Sequence, residues 1–258
     1  EFMILGAYVT YLCSIVFESY APALFGVYFF VAMILAFLAA GALGMLVEWG
    51  LIRHLYRRPL DTLLATWGLS LILQQIYRST FGAREVGVSL PDWMLGSLPL
   101  TDLIEVPING LFVMVLALTI FTAIFVMLYR STWGRQVRAV VQNRQMAGAV
   151  GIDTAWTDRL TFGIGCGVAG VAGSAFTMIG STGPTAGQLY IVDTFLVVVF
   201  GGATSLIGTV ASAFSISQAQ SILEFFLSGS MAKVLVLLTV IGILMLRPQG
   251  LFAFKVRK

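Results

Sequence analysis

Apolar residues dominate eight stretches of the chain, at 3–16, 27–47, 62–81, 108–129, 160–179, 191–207, 209–226 and 231–246. Most lack the polar face that a helix in a water-soluble domain carries, so each can be surrounded by apolar material on all sides. The stretch at 108–129 would reach about 33 Å as a helix, close to the ~30 Å hydrocarbon core of a bilayer. Helices are required there, because an open strand leaves backbone groups unsatisfied in lipid. The pattern therefore predicts an all-α fold: one polytopic transmembrane helical bundle over residues 1–258, with about eight spans.

Two places interrupt this pattern: GSTGPTAGQ at 180–188, and GGATSLIG at 201–208. The second leaves only the apolar residues 191–200 before it, too short a run to cross a bilayer. Glycine-interrupted segments of this kind are either broken or re-entrant helices beside a solute path, or tight turns between helices. Polar positions form stripes within two spans. Thr62, Thr66, Ser70 and Gln74 recur every fourth residue, and Ser217, Gln220, Ser221 and Glu224 follow at spacings of three and four, so each set shares a helix face. Such faces either hydrogen-bond neighbouring helices or line a pathway. With Asp193 and Glu224 as the acids nearest membrane depth, the candidate pathway set is Thr66, Ser70, Gln74, Asp193, Gln220 and Glu224. The bland alternatives are a helix N-terminus for Asp193 and a Glu224–Lys233 pair.

Composition strengthens the membrane reading. The chain is 59% hydrophobic and 10% charged, against ~45–50% and ~25% for soluble domains. The net charge of +3 is not gathered into a basic patch with stacking aromatics, so no nucleic-acid partner is indicated. The cations instead set topology. If the link after the second span is cytoplasmic, twelve Lys and Arg fall on that side, in 50–61, 130–159 and the C-terminal tail, and three (Arg78, Arg84, Lys233) on the other. Residues 130–159 are then a cytoplasmic loop and 78–107 a periplasmic loop, the latter either an ordered cap or a solvated link anchored by Trp93. No cleavable signal peptide is visible.

Chemistry is sparse. His54 is the one histidine, no lysine follows a glycine, and Cys13 and Cys166 sit alone in apolar runs. Zinc motifs, a Ser-His-Asp set and a phosphate-binding P-loop are therefore missing, which predicts a non-catalytic subunit that binds no metal or cofactor of its own. Gly165, Gly167 and Gly170 spell G-x-G-x-x-G, but inside an apolar span with no preceding strand. Gly163, Gly167, Gly170 and Gly173 read instead as a surface for close helix packing. In the 130–159 link, Arg135, Arg138, Gln142 and Gln145 fall at helical spacing opposite Val137, Val140 and Val141. That is the pattern of one short amphipathic helix ending near Gly151, suited to anionic lipid or to docking a soluble partner.

Several segments together resemble the permease subunits of the branched-chain amino-acid and urea ABC importers: EFMILGAYVTY from Glu1, RRPLDTLLATWGLSLIL from Arg57, WGRQVRAVVQNRQMAGAVGI from Trp133, FGIGCGVAGVAG from Phe162, VVFGGATSLIGT from Val198 and RPQGLF from Arg247. GAREVGVSLPDWMLGS from Gly82, GQLYIVDTFLVVVFGGA from Gly187 and ISQAQSILEFFLSGSMAKV from Ile216 resemble the urea-type subunit most. The resemblance implies a multi-pass permease of the bacterial inner membrane that imports urea or a related small polar solute by alternating access. Its partners would be a second permease subunit, two cytoplasmic ATPase subunits carrying ATP and Mg, a periplasmic solute-binding protein, and membrane lipid. It further implies that Arg138, Gln142, Asn143, Arg144, Ala147 and Gly151 couple to the ATPase, and that another span precedes Glu1. The competing expectations are a branched-chain amino-acid permease and, from the broken helices, a passive urea or amide channel.

Overall fold

The computed structural model describes residues 1–20, 25–56, 58–101, 104–202 and 205–246. Arg57, part of the 201–208 link and the RPQGLF tail lie outside the described residues. The chain divides after Gly187 into two compact units.

The first unit contains α1 (Phe2–Tyr20), α2 (Tyr28–Val47), a π-helical turn (Glu48–Ile52), α3 (Arg53–Leu55), α4 (Pro59–Phe81), the strands β1 (Ser97–Thr101) and β2 (Ile104–Pro107), α5 (Ile108–Arg130), α6 (Thr132–Gln142), α7 (Arg144–Ala149) and α8 (Thr154–Phe176). The second contains most of α9 (Ala186–Gly201), then α10 (Leu206–Phe226) and α11 (Gly229–Leu246). Each of the eight apolar stretches thus contains a long helix. Five helices are long and apolar enough to cross a membrane: α1, α2 with its extension to Leu55, α5, α8 and α10. α9 and α11 are shorter apolar helices, and α4 is diluted by its Thr, Ser and Gln stripe. α9 begins five residues before the predicted start at Ile191, so its 16 residues reach about 24 Å.

The heart of the first unit is a triple of α1, α2 and α8 packed through glycine. A side-chain carbon added to Gly170 would lie 2.7 Å from both the Ala36 carbonyl oxygen and Ala40 Cβ, and one on Gly167 would lie 2.8 Å from the Phe37 ring. Gly163 sits against Met45, and Gly173 against the Met3 carbonyl. Backbones this close gain dispersion contacts along their whole length, which compensates for the absence of a hydrophobic drive between helices in lipid. Thr10 donates to Ser174 (2.8 Å) inside the same interface.

The described residues of the 82–107 link are tied to the helices by specific contacts. Val86 and Thr182 exchange two backbone hydrogen bonds of 2.9 Å. Trp93 Nε1 donates to the Gly26 carbonyl (2.9 Å), and the Tyr28 hydroxyl donates to that of Ser89 (2.8 Å). Met94 is buried with Tyr28, Phe29, Met33 and Met178. The antiparallel β1–β2 hairpin, which pairs Ser97 with Pro107, and the Val86–Thr182 bridge are departures from an all-α chain. In the second unit, Phe200, Ile216, Val236 and Val240 form the core, and Ser212 donates to the Val197 carbonyl at 2.6 Å.

Candidate functional site

The 130–159 loop is not one helix. Asn143 takes an extended backbone (φ −156°, ψ 101°) and its side chain accepts from Met146 N–H at 3.1 Å, so it ends α6 and caps α7. An Asn at this position satisfies a backbone donor that would otherwise be orphaned, and a new helix starts there. α7 ends in a paired turn: Gly151 N–H reaches the Gly148 carbonyl (3.1 Å), Ile152 N–H reaches that of Ala147 (3.1 Å), and Gly151 adopts φ +87°. Glycine is the residue that takes this left-handed cap without steric cost. Ala147 is buried, so it seats α7 on the chain and does not face outward. Val141, in the last turn of α6, is 76% exposed although Val140 beside it is buried. With Met146 and Val150, also exposed, and Gln142 and Gln145, it forms the outward surface. Arg138 folds back to the Leu128 carbonyl and lies 5.4 Å from the Tyr129 ring centre.

Arg144, at the start of α7, connects the loop to the bundle. Its guanidinium meets Asp158 of α8 at 2.7 Å and stacks over Tyr56 at 5.1 Å. Tyr56 donates to Glu48 (3.2 Å), and the other Glu48 oxygen faces Arg159 at 3.5 Å. The Glu48 side chain is 1% exposed and belongs to the π-helical turn. Burial first, then the Asp158 and Glu48 charges, push the Tyr56 phenol up, so it stays protonated and remains a donor. Five side chains, on α7, α8, the π-helical turn and the link after α3, thus tie the loop to the ends of α2 and α8. π turns occur frequently at functional positions.

A second polar cluster lies within the bundle. Ser70 Oγ (3.0 Å) and Gln74 Nε2 (2.7 Å) both donate to one oxygen of Glu1, while the Tyr77 hydroxyl donates to the Glu1 carbonyl at 3.3 Å. Thr66 turns back to the Thr62 and Leu63 carbonyls of its own helix (3.0 Å each). Thr62 reaches back to the Leu55 and Arg58 carbonyls ahead of α4, so the stripe divides: its first two members bond nearby backbone and its last two hold Glu1. Glu1 and Glu48 are the residues that sequence reasoning passed over. The sequence signal for them is an acid beside each of the first two apolar runs, whereas depth within a span singles out Asp193 and Glu224.

In the second unit Asp193 is in the interior of α9, not at its N-terminus, and pairs with Lys233 at 2.9 Å. Glu224 accepts from Gln220 at 2.8 Å, so the expected Glu224–Lys233 pair does not form. Lys233 is claimed by Asp193 because α11 brings it beside α9. No group of three or more His, Cys, Asp or Glu suited to a metal exists among the described residues.

The fold and these clusters define a polytopic helical membrane protein with a structured loop at its cationic end. Residues 1–244 match the family described as "Branched-chain amino acid transport system / permease component", and the chain belongs to that family. It is therefore a multi-pass transport subunit of the bacterial inner membrane, one component of an ABC system. Among its relatives, the high-affinity branched-chain amino acid transport system permease protein LivH of Escherichia coli K12 is 30% identical over 234 residues, covering 83% of this chain and 73% of the relative. LivH of Salmonella typhimurium is 29% identical over the same shares. The probable branched-chain amino acid transport permease protein LivH of Methanocaldococcus jannaschii is 25% identical over 135 residues, covering 50% of this chain and 43% of the relative. No solved structure matches.

Proposed function

We propose that this chain is one of a pair of permease subunits in an ATP-driven importer, and that it moves a branched-chain amino acid by alternating access. Each relative named above is described as a branched-chain amino-acid permease. That supports this solute ahead of urea, which rests only on the segments from Gly82, Gly187 and Ile216. Two ATPase subunits binding ATP and Mg would dock on the 130–159 loop from the cytoplasm, and a solute-binding protein would deliver to the 78–107 side. The observation carrying the reading is the loop itself. It presents Val141, Met146 and Val150 to solvent while Arg144 is anchored to the bundle, and the chain has no nucleotide motif to supply its own power.

Uptake into proteoliposomes containing the assembled transporter, with labelled leucine and labelled urea and with and without ATP, tests the reading. ATP-dependent accumulation of leucine is expected. ATP-driven accumulation of urea alone would replace the solute assignment, and equilibration of urea without ATP would replace the import mechanism with a passive channel.

A further inference from the structure

Ser70 stands at the middle of α4, whose 23 residues reach about 33 Å. The carboxyl group it contacts is therefore level with the middle of that helix and not with either end. Glycine contacts between α1 and α8 agree, since Gly6 lies against Gly170 within the span of α8. One Glu1 oxygen takes both hydrogen bonds, from Ser70 and Gln74, while the other oxygen is buried without a hydrogen-bond partner. Close by, α9 begins: a side-chain carbon on Gly187 would be 3.4 Å from the bonded Glu1 oxygen. The first turn of α9, which directly follows the irregular residues 180–185, therefore closes on this carboxyl.

A simple staple between α1 and α4 does not explain this arrangement. A glutamine at position 1 would offer the same acceptor to Ser70 and Gln74, and carry no charge into the membrane. A charged group at this depth is expensive, and in membrane proteins such groups mark solute and ion pathways. The oxygen left over accepts only, so what completes it must be a donor. Transport sites typically lie at the midplane beside discontinuous helices, and Glu1 meets Ser70 and Gln74 of α4 and the first turn of α9 where α8 has just ended.

We propose that the Glu1 carboxylate, held by Ser70 and Gln74 beside Gly187, receives an N–H-bearing group of the solute midway through the membrane. For an amino acid this is the α-ammonium; for urea it is an amide N–H. The inference rests on the transport reading above and specifies where the solute is held.

The experiment measures solute moved per ATP hydrolysed, in proteoliposomes of the whole assembly, for leucine and for urea separately. With E1Q the ratio for the solute that the parent protein moves is expected to fall at least tenfold, and E1D is expected to recover part of it. S70A and Q74A, which keep the carboxylate but loosen it, should lower the ratio by a smaller factor. An E1Q protein with the parent ratio overturns the proposal. If E1Q does not assemble, S70A and Q74A decide, and parent ratios in both overturn it. If the parent protein moves neither solute, the transport reading itself fails, a result distinct from a working parent with an indifferent E1Q.

Discussion

Removing Arg159 should strand Glu48. With its side chain 1% exposed, Glu48 has two partners, Tyr56 at 3.2 Å and Arg159 at 3.5 Å. Breaking a buried ion pair from one side typically costs about 3–5 kcal/mol, because the remaining charge is left uncompensated. Two facts reduce that figure here: Arg159 is 23% exposed, and 3.5 Å is an ion-pair distance rather than a good hydrogen bond. About 2–3 kcal/mol is the appropriate expectation for Arg159→Met, whose aliphatic stem keeps the packing. At roughly 2–4 °C per kcal/mol for a chain of this size, Tm falls by about 5–10 °C. Glu48→Gln in the same background removes the stranded charge and should restore most of the loss, giving a coupling energy of about 1–2 kcal/mol in a double-mutant cycle. The assay is thermal unfolding of the detergent-solubilised protein followed by tryptophan fluorescence, with all four proteins in one detergent. If the two substitutions simply add, Glu48 and Arg159 are not paired and the network is wrongly drawn.

Three further outcomes follow from the same geometry. Arg138→Glu and Arg144→Glu should each reduce ATPase co-purification and ATP-driven uptake. Arg144–Asp158 is half exposed on the Arg144 side, so its loss should cost no more than about 1 kcal/mol and leave Tm nearly unchanged. Gly170→Val places atoms 2.7 Å from the Ala36 carbonyl; α2 must be displaced, and the yield of folded protein after membrane extraction should collapse. Asn143→Ala removes the cap of α7 at a cost of about 1 kcal/mol. Faster backbone hydrogen exchange confined to 144–149 would register it, and unchanged exchange there would count against the cap.

Helices were legible in the sequence because apolar length alone dictates them in lipid: each of the eight stretches holds a helix among the described residues, and five of these are long and apolar enough to cross a membrane. The boundaries that moved did so for local reasons. α9 starts at Ala186 because GQLY joins the helix, which hydropathy cannot reveal. The loop breaks at Asn143 because one side-chain cap outweighs a continuous amphipathic pattern. Site residues were less legible. Ser70 and Gln74 were found by spacing, yet their partner Glu1 lies on another helix. Lys233 was matched with Glu224 by proximity along the chain, but Asp193, forty residues away, holds it. Charge pairing is a property of packing, and periodicity gives only the face on which each candidate sits.

The backbone-to-backbone seating of α1, α2 and α8 has a mechanical corollary. Where glycines meet carbonyls directly there are no flexible side chains to absorb a displacement, so the three helices transmit it as a single beam. A tilt of about 10° applied at the loop end of a 23-residue helix swings its far end by about 6 Å. That is roughly the size of a small solute, so under the import mechanism proposed above a modest push delivered through Arg144 would suffice to open one end of these helices while closing the other.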